Sequence, residues 1–118
     1  MAVSIEARFH PLRLKLSRRE PVEMELTLVN DGKAKKATVD IALGLGLSFQ
    51  RGGFKTNVME RIDGLAPNES RQLFFSIWPK HDVRAGEMPI RIRVLEHGDS
   101  YAQIVKQDVL QESLVVEQ

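Results

Sequence analysis

The most informative stretch of the chain is residues 65–79, LAPNESRQLFFSIWP. Leu65 is predicted to anchor a turn at Pro67 and Asn68, because proline fixes φ and asparagine tolerates a left-handed backbone. After the turn, every second residue is apolar, which predicts a strand with one face in a core: Leu73, Phe75 and Ile77. Pro79 has no N–H to donate and is predicted to end that strand.

The segments before this stretch predict strands of the same kind. Residues 22–28 alternate between apolar and polar side chains, and residues 30–33, NDGK, are typical of a tight turn. Residues 37–49 predict a long third strand whose inward set includes Leu45. Residues 55–62 alternate less regularly and are interpreted as a short edge strand. These segments would supply the surfaces on which residues 73–77 pack.

A further strand is predicted over residues 88–94, where apolar side chains again occupy every second position. Arg91 and Arg93 fall on the opposite, outward parity. Asp40 of the third strand is the expected cross-strand partner, in a surface pair worth a fraction of a kcal/mol.

Both termini of the chain show irregular alternation. Within residues 3–16, the parity of the apolar positions changes at His10-Pro11, which predicts a kink or a switch between sheets. Residues 101–116 predict the last strand or pair of strands, with a bulge near Gln107-Asp108.

Together, about seven short strands separated by turn signals indicate an all-β, immunoglobulin-like sandwich of two antiparallel sheets. A closed barrel is the alternative. We expect a single domain over residues 1–118. The predicted core consists of Val22, Met24, Leu26, Leu28, Val39, Ile41, Leu43, Leu73, Phe75, Ile77, Ile90, Ile92 and Val94.

Composition narrows the class of protein. The net charge of +1 lacks the positive excess usual in nucleic-acid-binding domains. Cysteine is absent, which suits a reducing compartment. No run approaches the ~20 apolar residues of a membrane helix, and the N-terminus shows no basic region followed by an apolar stretch. We therefore expect a cytoplasmic protein without a membrane segment.

The order of these features resembles the immunoglobulin-like modules of the CARDB and NEW3 type, found in archaea and bacteria. The matching motifs are residues 26–32 (LTLVNDG), 65–69 (LAPNE), 73–79 (LFFSIWP) and the Gly-led strand 86–94. The resemblance covers about residues 21–105. It implies a seven-stranded sandwich and no catalytic residues.

The sequence offers little site chemistry. The histidines, His10, His81 and His97, fall in predicted loops or beside a turn, and no nucleophile motif accompanies them. Neither thiolates nor a pair of histidines at metal-binding spacing is present. We predict no catalytic residue, no metal site and no cofactor. An enzyme whose site is assembled from distant residues remains the alternative.

Two features favour protein binding. Phe74 and Trp78 share the parity opposite to the predicted core face, so they would form an exposed aromatic pair. The alternative is that a neighbouring segment covers them. Ala42, Gly44 and Gly46 give the third strand a bare outer face that a partner could approach. A twist or bulge is the alternative there.

We therefore predict a non-enzymatic interaction or structural module. Its partner would be another protein or a second copy of the chain, bound through a sheet face or an edge. The alternative is weak binding of nucleic acid or another polyanion through basic turns. Those turns contain Arg18-Arg19, residues 33–36 and Arg51 with Lys55. In an immunoglobulin-like sandwich such loops can gather at different ends, and in that case their charge is dispersed.

Overall fold

A computed structural model describes residues 3–30, 32 and 35–118, and it confirms the all-β, immunoglobulin-like sandwich. The described residues form nine strands rather than about seven, because two short strands arise where the chain crosses between sheets. The strands are β1 (Val3–His10), β2 (Arg13–Lys15), β3 (Val22–Asn30), β4 (Lys36–Leu43), β5 (Leu47–Ser48), β6 (Asn57–Asp63), β7 (Ser70–Pro79), β8 (Gly86–His97) and β9 (Ile104–Glu117).

The strands build two facing sheets. One has four strands in the order β1-β3-β7-β5, and the other has five in the order β2-β9-β8-β4-β6. Neighbouring strands are antiparallel except β2 and β9, which run parallel. The predicted switch between sheets at His10-Pro11 is confirmed, since β1 and β2 lie in different sheets on either side of this cis peptide bond.

A second crossing corrects the predicted third strand. Instead of continuing to residue 49, the strand ends at Leu43, and β5 joins the other sheet. The Gly44 N–H donates to the Pro89 carbonyl at 2.8 Å, and Gly46 has a φ of +92°. These two glycines turn the chain out of the sheet, so Leu45, predicted to face inward, is 87% exposed.

The core between the sheets matches the predicted alternation. Of the thirteen predicted core residues, all but Leu73 and Phe75 are buried, and those two are partly buried against the same cluster. Ile62 of the predicted edge strand is buried, and Val58 packs against the core. The predicted turn after Asn68 is also present, because Asn68 has a φ of +64° and Leu65 is buried.

The hairpin between β8 and β9 differs from the prediction in two details. The register shifts between Glu96 and His97, so the bulge lies at Val105 and not near Gln107-Asp108. His97, predicted in a loop or beside a turn, is the last residue of β8 and is buried. Its Nε2 lies 2.7 Å from the Thr38 hydroxyl, and its Nδ1 lies 3.1 Å from the Gln103 carbonyl.

The loops gather at two opposite ends of the sandwich. We call the end formed by residues 30, 32, 35–36, 64–69 and 97–103 the Asn30 end. We call the other end, formed by residues 16–21, 44–55 and 78–83, the Trp78 end. Part of the predicted turn at residues 30–33 lies outside the described residues, namely Asp31 and Lys33.

Candidate protein-interaction surface

The outer face of the five-stranded sheet carries a row of side chains drawn from four strands. Met59, Asp40, Arg93 and Val109 are successive cross-strand neighbours on β6, β4, β8 and β9. Arg93 Nη2 donates to Asp40 Oδ2 at 2.8 Å, which confirms the predicted pair. Met59 is 60% exposed and Val109 is 48% exposed, so apolar groups flank the ion pair on both sides.

The next row extends this surface toward the Asn30 end. Arg61 and Leu95 both neighbour Thr38 across β6 and β8. The Arg61 guanidinium carbon lies 4.9 Å from the centre of the Tyr101 ring, within cation–π range. The Lys36 ammonium lies 5.4 Å from the same ring. We call this surface the outer patch: Met59, Arg61, Arg93, Leu95, Tyr101 and Val109.

An ion pair between Lys36 and Asp63 lies at the edge of the outer patch. Lys36 Nζ donates to Asp63 Oδ1 at 3.0 Å, and this hydrogen bond raises the pKa of Lys36 and lowers that of Asp63. The Gly64 N–H also donates to Asp63 Oδ1 and lowers the Asp63 pKa further. The two charged groups form an ion pair beside the Tyr101 ring.

Sequence reasoning missed the outer patch. Its members lie on strands far apart in the chain, and only the cross-strand register brings them together. The one distinguishing feature of Met59 and Val109 is that both are apolar side chains at exposed strand positions. Methionine, tyrosine and arginine are also the residue types enriched at protein interfaces.

The predicted aromatic pair lies on the other sheet, and its two members differ in surroundings. Phe74 is 56% exposed and lies opposite Glu25 of β3. Glu25 accepts a hydrogen bond from Gln72 Nε2 at 2.9 Å, so the ring stands in a polar setting. Trp78 is only partly exposed. The Arg51 guanidinium lies 5.8 Å from its ring centre, so the loop after β5 partly covers it.

The predicted bare face of the third strand is reduced to one residue. Ala42 lies on the outer side of β4, but Gly44 and Gly46 follow the end of that strand. A Cβ built on Gly44 would lie 2.8 Å from the Pro89 carbonyl oxygen, and one on Gly46 would lie 2.4 Å from Val83 Cγ2. The space left by both glycines is therefore filled by the chain itself.

Basic side chains from two of the three predicted basic turns line one cleft at the Trp78 end. Arg19 and Arg51 line one cleft of about 320 Å³, together with Trp78 and His81. Arg19 Nη1 donates to the Lys80 carbonyl at 3.3 Å. Lys36 does lie at the opposite end, beside His97.

In residues 3–30, 32 and 35–118, no group of three or more histidine and acidic side chains is placed to hold a metal ion. None of these residues belongs to a helix that is long and apolar enough to cross a bilayer. A cleft of about 470 Å³ lies beside β2, where Glu117 pairs with Arg13 at 3.3 Å.

No protein-family model matches the chain, and no curated protein matches it significantly. Solved structures match it across nearly the whole length. One is self-complemented MyfA, the major subunit of Myf fimbriae from Yersinia enterocolitica, with 15% identity, a TM-score of 0.57, and 98% of this chain and 99% of that chain covered. The same subunit in complex with galactose gives 17% identity and a TM-score of 0.53 at the same coverage. At this identity the likeness shows the fold.

Proposed function

We propose that the protein is a non-enzymatic interaction module that binds a protein partner through the outer patch. The observation that carries the proposal is the row in which exposed Met59 and Val109 flank the Arg93–Asp40 ion pair. Apolar and aromatic groups around a partly covered arginine are the usual composition of an interface centre. A relatively flat sheet face supports a protein partner better than a small ligand, which needs a concave site.

The arrangement of the titratable groups supports a role without catalysis. His97 is buried between Thr38 and Gln103, and His10 Nε2 lies 3.1 Å from Glu25 Oε2 on the other sheet. A general base needs a nucleophile or a substrate pocket within hydrogen-bonding reach. The contacts of these two histidines are instead structural. The likeness to a major fimbrial subunit is also compatible with a structural or interaction role.

The proposal is tested by placing a photoreactive amino acid at Met59 and, as a matched control, at Phe74 on the other sheet. We expect crosslinks to one defined protein from Met59 and none from Phe74. The purified partner should then bind the wild-type protein and lose about tenfold or more in affinity with Met59→Asp, because a carboxylate would be desolvated in the interface. Phe74→Asp should bind normally.

The converse result would move the interface to the four-stranded sheet, which carries the aromatic pair predicted from the sequence. If Phe74 crosslinks and Phe74→Asp abolishes binding while Met59→Asp does not, the outer patch is not the binding surface. Calorimetry with the purified partner decides between the two surfaces, since each exposed substitution leaves the core intact.

A second candidate function is polyanion binding at the Trp78 end, favoured by the meeting of Arg19 and Arg51 beside an aromatic ring. Cations and a stacking platform are the two elements of single-strand nucleic-acid sites. We expect retention on heparin to fall steeply with salt and to weaken in Arg19→Ala/Arg51→Ala. Lys35→Ala/Lys36→Ala, at the opposite end, is the control. Equal weakening by both double variants would refute a localised site.

We also propose kinship with the CARDB and NEW3 modules. Two of the matching motifs are joined by a hydrogen bond at the same end of the fold, which supports a shared architecture. Asn30, from the first motif, donates through Nδ2 to the Ala66 carbonyl of the second at 3.2 Å. A solved module of that family with the same contact between its two motifs would test the relation.

A further inference from the structure

Strand β9 has a long edge that no other described strand pairs with. One edge of β9 pairs with β8 over most of its length. On the other edge, β2 pairs only with Val115, Val116 and Glu117. The edge from Ile104 to about Ser113 therefore offers backbone N–H and C=O groups to another strand, which is the usual route to pairing between chains.

Apolar side chains are exposed along the same segment. Ile104 is 58% exposed and Val105 is 72% exposed, and Val109 of the outer patch adds to them. Natural edge strands are usually protected by charge, proline, a β-bulge or a covering loop, and β9 has its bulge at Val105, near one end of this segment. Here the segment carries three charged residues, and two of them, Lys106 and Asp108, have opposite signs and lie 3.7 Å apart; the third is Glu112, near its end.

The sequence of this edge is suited to antiparallel pairing with a second copy of itself. Residues 103–111 read QIVKQDVLQ, which is symmetric about Gln107. When two copies run antiparallel with Gln107 opposite Gln107, Lys106 faces Asp108 of the other copy, and Val105 faces Val109. Gln103 and Ile104 lie beyond the bulge at Val105, which turns Ile104 to the face opposite that of Leu110, so the matched pairs are confined to residues 105–109. Every pair joins like apolar groups, amides, or opposite charges, which are the favourable cross-strand combinations.

We infer that two copies of this chain associate through antiparallel pairing of β9, centred on Gln107. A two-fold axis through Gln107 repeats every pair, so the single Lys106–Asp108 match gives two intermolecular ion pairs. In this register each residue faces one whose number has the same parity. Because side chains alternate along a strand, the outer faces of the two sheets then lie on the same side. The product is a continuous ten-stranded sheet, which places both outer patches on one surface. The inference is independent of the protein partner proposed above.

The other free edges are less suited to self-pairing. On β1, a pairing centred on Ala7 would place Glu6 opposite Arg8, but the apolar residues of β1 are at least partly buried. On β6, Glu60 would face itself, and on β7 a pairing centred on Phe74 would place Arg71 opposite Ile77. Only β9, among the described edges, combines exposed apolar groups with matched charges.

Charge reversal tests the register. In Asp108→Lys, lysines face lysines across the axis, and in Lys106→Asp, aspartates face aspartates. Each variant alone should raise the dimer dissociation constant about tenfold or more, measured by sedimentation equilibrium. The double variant Lys106→Asp/Asp108→Lys should restore dimerisation. An equimolar mixture of the two single variants should also dimerise, because their charges are complementary.

A cysteine at the axis gives an independent readout, since the chain has no cysteine of its own. Residues facing each other in an antiparallel pair have Cα atoms about 4.5–5.5 Å apart, within disulfide range. Gln107→Cys should therefore crosslink quantitatively under mild oxidation. Gln111→Cys is the matched control, because its two copies would lie about 27 Å apart along the strands.

Three outcomes would overturn the inference. These are a wild-type chain that stays monomeric at its highest soluble concentration, failure of the double swap to restore the dimer, and crosslinking of Gln111→Cys in place of Gln107→Cys. Loss of the dimer in Arg8→Glu but not in Asp108→Lys would assign it to β1 instead. Met59→Asp should leave the dimer intact, so failure here and failure of the proposed partner site are separate results.

Discussion

The two ends of the sandwich are closed in different ways. At the Asn30 end, a fully buried asparagine ties two loops together through backbone and side-chain hydrogen bonds. At the Trp78 end, Arg51 lies over a partly exposed tryptophan, and Phe54 is almost fully exposed. Buried polar contacts cost free energy when broken, whereas exposed charged contacts contribute little. The Asn30 end should therefore be rigid and structural, and the Trp78 end open.

Asn30 uses both its backbone and its side chain. Its N–H donates to the Glu69 carbonyl at 3.0 Å, and its carbonyl accepts from the Asn68 N–H. Its side-chain Oδ1 accepts from the Gly32 N–H, and Nδ2 donates to the Ala66 carbonyl, both at 3.2 Å. Asparagine supplies a donor and an acceptor from one short side chain, which explains its place between two loops.

The largest effect is expected from Asn30→Ala. The substitution leaves the Ala66 carbonyl and the Gly32 N–H without their side-chain partner in a buried setting, at a cost of about 2–3 kcal/mol in unfolding free energy. Urea denaturation measures the loss. Asn57→Ala, at an exposed asparagine of β6, is the control and should change stability by less than about 0.5 kcal/mol. Equal losses from the two variants would show that the Asn30 end is not held as described.

The second effect tests whether any part of the Trp78 end is rigid. Gly46→Ala places a Cβ against Val83 at a backbone φ of +92°, which should cost about 2 kcal/mol. The matched control is Gly52→Ala, which also has a positive φ but no atom within 4 Å of the new Cβ. It should cost about 1 kcal/mol, the strain alone. A larger loss from Gly52→Ala would mean that packing against Val83 is unimportant.

The same contrast separates what the sequence predicts from what it cannot. At the Asn30 end, the local chemistry of Leu65, Pro67 and Asn68 predicts the turn, and the structure contains it. Alternation also identified the core, because every second side chain of a half-buried strand must face it. Leu45 was misplaced because alternation continues through Gly44, where a close approach to Pro89 turns the chain away.

Most of the candidate surface could not be predicted in the same way. Met59 and Val109 share a row only through the register of β6, β4, β8 and β9, which depends on contacts distant in sequence. The meeting of Arg19 with Arg51 depends likewise on which loops share an end. Arg93 and Asp40 were paired correctly because the strands that carry them were both recognised from their alternation.

A smaller effect at the Asn30 end depends on pH. Glu69 Oε1 accepts from the Ala66 N–H at 2.9 Å, and Oε2 accepts from Arg71 Nε at 3.0 Å. The backbone hydrogen bond first, and then Arg71, lowers the pKa of Glu69. The stabilisation is complete above the unfolded-state pKa of about 4.3 and is lost as the pH falls through the lower folded-state value.

Glu69→Gln should remove this acid-limb dependence, because a neutral amide cannot titrate. Unfolding free energies measured from acid to neutral pH should rise less steeply for Glu69→Gln than for the wild-type protein. Glu60→Gln, on exposed β6 and outside this loop, is the control and should keep the wild-type slope. Parallel curves for the wild type and Glu69→Gln would show that the charge of Glu69 does not stabilise the loop.

The smallest effect is expected from Arg51→Ala at the Trp78 end. An exposed cation–π contact contributes at most about 0.5–1 kcal/mol. Its loss is partly offset because the arginine side chain no longer loses conformational entropy on folding. Stability should therefore change by about 0.5 kcal/mol or less.

Trp78 is the only tryptophan of the chain, so its fluorescence reports directly on the loss of the Arg51 contact. The emission of Arg51→Ala should shift to longer wavelength. Arg84→Ala, at another exposed arginine, should leave the emission unchanged. A stability loss as large as that of Asn30→Ala would mean that both ends are closed by side chains, and the Trp78 end could then no longer be regarded as the open one.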